Sequence, residues 1–363
     1  YYFALSDYVD LALTGEIYTK GSWGLSARSA YRKRYKYSGN FNASLLTTIL
    51  GDKVVPKEYS KSKDFKITWT HSQDAKANPY RSFTASVNFA TSSYDRNQLT
   101  NIYNQNSTSN TKGSSVSLSQ RFPNSPFSLS ATMNVNQRSR DSSISVTLPD
   151  VSITMSRIYP FKRKHAVGSE KWYEKISMSY SGYLRNSIDT KENKLMQSSL
   201  VKDWRNGMQH NIPISATFTF LKYINISPSF NYTERWYTSK VMQAWNETSN
   251  RLMPSDTIYG FNRVYNYNAS LSASTTMYGF YKPLPFLGNK VEMIRHRFEP
   301  SISLSAAPDF GDPRYGFYES YTYMDEDGEM YTNTYSPYAN QIFGPAPQGK
   351  QGSLSFSINN NVE

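Results

Sequence analysis

Residues 127–136 read FSLSATMNVN and residues 265–274 read YNYNASLSAS. In the first stretch Phe127, Leu129, Ala131, Met133 and Val135 alternate with Ser128, Ser130, Thr132, Asn134 and Asn136; in the second Tyr265, Tyr267, Ala269, Leu271 and Ala273 alternate with Asn266, Asn268, Ser270, Ser272 and Ser274. Successive side chains of a β-strand leave opposite faces, so each stretch builds a strand with one greasy face and one of small uncharged polar groups. The same rhythm runs outward in both directions: Val9 to Ile17, Ile176 to Arg185, Ile212 to Phe220, Ile224 to Tyr232, Ile302 to Ala306 and Leu354 to Ile358. About fifteen strands can be read this way, many of 9 to 13 residues. That is longer than the ~5–6 residues common in soluble sheets and suits a tilted strand crossing a bilayer.

Composition agrees with a membrane barrel. Only 38% of the 363 residues are apolar, yet there are 30 Tyr and 19 Phe. No run approaches the ~20 apolar residues of a membrane helix, so spanning would need a closed sheet. The negative mean hydropathy follows from alternation and wet loops. Cysteine is absent, which excludes thiolate catalysis, zinc–thiolate sites and disulfides within the chain. A formal charge of +12 fits an anionic partner, whether nucleic acid, an anionic membrane face or a phosphorylated lipid. The expected fold is therefore all-β, a transmembrane antiparallel β-barrel, with residues 1–363 forming part of one larger barrel domain. The start at Tyr1 and stop at Glu363 read as an excerpt.

Connections should come in two lengths: short turns at Thr19–Ser22 and Gln137–Asp141, long polar loops over 92–113, 157–172, 236–262 and 307–351, as outer-membrane barrels have on their two sides. Tyr8, Tyr18, Trp23, Trp69, Tyr173 and Trp236 are placed to form interfacial girdles near strand ends.

Few motifs carry chemistry. The basic run Tyr31-Arg32-Lys33-Arg34-Tyr35-Lys36-Tyr37 can contact lipid phosphates through charge-assisted hydrogen bonds or form a solvated turn; membrane-length strands around it argue against a nucleic-acid strip. Asp325, Glu326, Asp327 and Glu329 lack the twelve-residue calcium loop and read as an acidic surface loop. His71, His165, His210 and His296 have no metal-ligand spacing, and no nucleophile-elbow serine is present. No metal, cofactor or catalytic residue is therefore assigned. Glu299-Pro300 lies inside an alternating strand, where proline removes a ladder donor and gives a bulge, a kink or a local gap.

Three stretches resemble the LptD family of lipopolysaccharide-assembly outer-membrane proteins. The opening resembles the start of that barrel, with Tyr1, Tyr2, Asp10 and Tyr18 before the turn glycine Gly21 and a basic, Tyr-rich second strand over Arg28 to Tyr37. Trp69-Thr70-His71-Ser72-Gln73 is similar to a tryptophan-x-histidine-x-glutamine stretch, and His296-Arg297-Phe298-Glu299-Pro300 to an H-x-L-E-P strand. The resemblance implies an outer-membrane translocon in a Gram-negative bacterium, plugged by an LptE-like lipoprotein. Periplasmic bridge proteins supply it with lipopolysaccharide, which leaves for the outer leaflet through a seam between first and last strands. It implies path candidates Asp10, Glu16, Arg28, Arg32, Lys33 and Arg34, a gate or kink at Glu299 and Pro300, and partners in lipopolysaccharide and outer-membrane lipid, with no nucleic acid. The family's periplasmic jellyroll, its closing strands and the cysteines of some members have no counterpart here. A porin, a TonB-dependent transporter or a secreted β-rich adhesin remain the alternatives.

Overall fold

The computed structural model describes residues 1–52, 54, 59–98, 111–165, 168–200, 202–282, 293–324 and 328–363. It is 67% strand and 5% helix, and the strand pairs are antiparallel. This is the fold class expected of part of a β-barrel. No helix among the described residues is long and apolar enough to cross a membrane.

The chain divides into two compact units, Tyr1–Ile153 with Tyr183–Asn206, and Thr154–Gly182 with Gly207–Glu363. In the first unit, β1 (Tyr2–Ser6), β2 (Val9–Ile17), β3 (Trp23–Lys33), β4 (Tyr37–Leu50), β5 (Ser60–Gln73), β6 (Arg81–Ala90), β7 (Thr111–Arg121) and β8 (Phe127–Arg138) pair in chain order. They are followed by β9 (Ser143–Ile158) and β10 (Ser177–Lys191). Alternation decides which side each residue takes. Leu13, Ala27, Ala43, Ile67 and Phe89 line up across five strands on the apolar face, while Asp10, Arg28, Arg32 and Asn42 belong to the polar one.

The second unit contains β11 (Arg205–Ser215), β12 (Phe218–Phe220), β13 (Ile224–Asn246), β14 (Arg251–Thr275), β15 (Met277–Tyr281), β16 (Ile294–Ala307) and β19 (Gln351–Val362). A separate hairpin joins β17 (Glu319–Met324) to β18 (Met330–Tyr335). On the polar face, serines stand in register: Ser215, Ser229, Ser270, Ser305 and Ser353 form one row across five strands. Their hydroxyls bond across the sheet, as in Ser229–Ser270 (2.6 Å) and Ser305–Ser353 (2.7 Å).

Three expectations change. The described residues hold nineteen strands, because short β1, β12, β15, β17 and β18 form against partners that no local pattern announces. Residues 236–262 are not a long loop: β13 and β14, of 23 and 25 residues, continue as a hairpin whose turn is 247–250. Alternation fades there because Glu234, Arg235, Lys240 and Gln243 put polar groups on both faces. Residues 308–318 and 336–350 form a packed segment instead of a polar loop. Buried Phe310, Phe317, Tyr338 and Ala346 join Tyr237 and Val264 in one core. Asp309 Oδ1 closes the segment's base by accepting the N–H groups of Gly311 and Gly349, each at 2.7 Å.

Candidate functional site

The first strands carry a local fault in their ladder. β2 and β3 pair at Val9–Tyr31 and again from Ala12–Arg28 onward. Between these pairs side chains take over: Asp10 Oδ1 accepts the Ala30 N–H (2.7 Å) and the Asp10 carbonyl accepts the Ser29 hydroxyl (2.7 Å). The Tyr2 hydroxyl reaches the other Asp10 oxygen at 3.5 Å. An aspartate inside a strand can do this because its short carboxylate competes with the backbone for nearby donors. β1, hydrogen-bonded to β2 on its other side, is exposed along its whole length.

Beside the fault lies a cleft of about 540 Å³ lined by Tyr8, Asp10, Arg32, Asn40, Thr70 and His71, among others. Arg32 and Arg28 are exposed on the polar face, and neither guanidinium has a partner among the described residues. Lys33 belongs to the opposite face, its ammonium over the Tyr8 ring at 5.1 Å. β3 ends there, and Arg34 to Lys36 make the turn into β4. Tyr35, with φ 61, lies between the Arg34 guanidinium and the Lys76 ammonium, each 4.9 Å from its ring centre. The basic run is thus a hairpin turn whose cations flank exposed tyrosines.

The cleft's apolar wall is built across strands. Tyr31, Gly39 and His71 stand opposite one another on β3, β4 and β5. The Tyr31 hydroxyl accepts from Trp69 Nε1 (2.8 Å) and bonds His71 Nδ1 (2.9 Å), and Phe83 packs on both His71 and Trp69. The phenol crosses over Gly39, where a Cβ would collide with the Tyr31 ring and the Thr70 carbonyl. Tyr180, Gly182 and His210 repeat the device, with the Tyr180 hydroxyl 2.8 Å from His210 Nδ1 and a Gly182 Cβ blocked by the Tyr180 ring. Neither Tyr31 nor Gly39 was a site candidate. Their only sequence signal was a tyrosine in a basic run and a glycine within a strand, which suggests close approach without naming what approaches.

The structure does not gather all the candidates. Glu16 is six residues from Asp10 along β2, roughly 20 Å away at the usual strand rise, and there it accepts from the Tyr18 hydroxyl at 2.9 Å. Glu299 and Pro300 are in the second unit. The twelve pairs from β16 to β19 run through Pro300 without a register shift, so there is no bulge on that side. On the other side β14 ends at Thr275 and β15 begins at Met277, with no pair opposite Glu299 or Pro300. The gap is filled by the Thr276 hydroxyl bonding Glu299 Oε1 at 3.1 Å. Of the girdle candidates, Trp69 lies within β5 and Trp236 near the middle of β13. Asp325 to Asp327 lie outside the described residues.

Comparison with known proteins gives one finding of weight: the model of a family described as LptD protein matches residues 1–363, the whole chain. No curated protein matches it.

Proposed function

The chain belongs to the LptD family, and on that premise we propose that it is the barrel portion of a translocon that inserts lipopolysaccharide into the outer leaflet through a lateral seam, around an LptE-like lipoprotein plug. Membership supports a part in lipopolysaccharide transport at the outer membrane, the family being one of transport and assembly proteins. Of the alternatives open at the level of sequence, it speaks against a porin, a TonB-dependent transporter and an adhesin. The observation that carries the reading is the Asp10 fault between β2 and β3, which loosens the first strands on the side where the seam would open. In a bilayer every backbone group needs a partner, so strands that must part for a lipid do so most cheaply where side chains already supply the bonds. Asp10 and Ser29 supply them here, and Arg28 and Arg32 stand on the same face, free to meet phosphates by charge-assisted hydrogen bonds.

The test is depletion of the full-length parent in its own host, complemented with wild type or with Arg28→Gln/Arg32→Gln, and followed by surface labelling of newly made lipopolysaccharide. Depletion is expected to strand the lipid in the periplasm or inner membrane, and the double variant to slow delivery at unchanged barrel abundance. Normal surface delivery after depletion sinks the proposal. Normal delivery by the variant removes the arginines from the path.

A further inference from the structure

At the end of the first unit opposite the Asp10 cleft, β7, β8, β9, β10 and the turn after β10 border an open cavity of about 1080 Å³. Four cations line it: Lys112, Arg138, Lys191 and Lys194. Two are already committed. Lys112, only 3% exposed, binds Asp95 at 2.8 Å and the Ser139 hydroxyl at 2.9 Å; Lys191 binds the Asp141 carbonyl at 2.6 Å and its carboxylate at 3.7 Å. The remaining carboxylate of the lining, Asp189, is held by Arg205 from outside it at 2.5 Å. Arg138 and Lys194 are left exposed with no carboxylate partner among the described residues. Around them the wall offers hydroxyls and amides, among them Asn136, Ser143 and Thr190.

We propose that this cavity is a binding site for a phosphorylated saccharide, with Arg138 and Lys194 holding the phosphate and the hydroxyl and amide wall the sugar. Surplus positive charge in a concave site concentrates anions, a guanidinium offers a fork matched to phosphate oxygens, and neutral hydroxyls and amides exchange hydrogen bonds with sugar hydroxyls as water does. The volume exceeds that of a monosaccharide, so several linked sugars fit. The inference extends the proposed function: a phosphorylated glycolipid engaged at the Asp10 end would meet a second polar station at the other end of the same unit.

The test uses full-length protein in detergent and glucose 6-phosphate as probe, with glucose and inorganic phosphate as comparators, followed by saturation-transfer NMR. Binding of glucose 6-phosphate is expected to exceed that of either comparator, and Arg138→Gln/Lys194→Gln to weaken it by roughly tenfold or more, since one lost charge-assisted hydrogen bond is already worth about that. Asn136→Trp, which fills the cavity and keeps the charges, should weaken it as well, and Arg32→Gln, in the opposite cleft, should leave it intact. Phosphate binding as well as the sugar phosphate makes this an anion site without sugar recognition and overturns the assignment. So does unchanged binding in either cavity variant. Neither outcome touches the translocation reading, which the surface assay decides separately.

Discussion

Tyr31 shows what one side chain does in this sheet. Its ring crosses Gly39 to bond Trp69 and His71, so one phenol ties three adjacent strands on the apolar face. Removing only the hydroxyl, in Tyr31→Phe, strips the Trp69 indole N–H of its acceptor, at a cost of ~1–3 kcal/mol when such a group is left unsatisfied. Gly39→Ala should cost a similar ~1–3 kcal/mol, typical of overpacking, because the added methyl meets a backbone carbonyl as well as the phenol. Both appear as a lower unfolding temperature of the barrel in detergent, read by loss of the fast-migrating folded form on unboiled gels; wild-type melting of both would dismiss the staple. Trp69 and His71 were visible as a motif, but the partner that gives them a job comes from another strand, and nothing local points to it.

Elements are held at their ends by polar locks. Buried Glu174, 2% exposed, takes Arg163 Nε at 2.7 Å and Nη2 at 2.9 Å and the Lys171 N–H at 2.7 Å, pinning the connection from β9 to β10. The Arg163 guanidinium, with the Lys171 N–H behind it, holds the Glu174 carboxyl down to about 2. Because the folded value is depressed, the lock is fully present above the ordinary carboxylate range and is lost as pH falls through about 2. Hydrogen exchange over 159–165 and 168–175 should be as slow at pH 6 as at pH 7, after correction for intrinsic rates, and Glu174→Gln should exchange faster at both. An equal rate in variant and wild type would show the lock to be idle. The segment after β16 is fastened in the same manner. Phe310 and Phe317 pack edge-on against Tyr267 and Tyr265 at 5.3 Å, on the apolar face of β14. Tyr338 stacks on Tyr237 at 5.6 Å, whose ladder partner Asn262 has the opposite parity. The segment thus clasps β13 and β14 from both faces where β14 runs beyond the pairing reach of β16. Asp309→Ala removes the acceptor that joins Gly311 to Gly349 and should open 310–318 and 336–348 to limited proteolysis while the long strands stay intact; equal resistance would mean the aromatic core suffices.

At the scale of the whole molecule, apolar side chains remain uncovered on the strands. Leu354 and Phe356 on β19 are 69% and 66% exposed, and Leu304, Ile302 and Leu271 stand beside them. A contiguous apolar surface of this kind is suited to contact with a membrane or another protein, and the family favours the membrane. The full-length protein should therefore sediment with outer membranes and be released by detergent but not by high salt, which screens only its +12 charge; release by salt would refute membrane integration. The amino-acid order by itself determined the long alternating strands, their two faces, the absence of thiol chemistry and the family likeness, because a period of two and a short motif are written within a few neighbouring residues. Tertiary structure alone decided that Asp10 replaces a ladder bond, that Pro300 opens a gap toward β14 and β15 but not β19, that β13 and β14 run on through an expected loop, and that 308–318 and 336–350 are packed. Each of these depends on which distant strand comes to lie alongside and in what register, and in a sheet that choice is made by pairing between residues far apart in the chain.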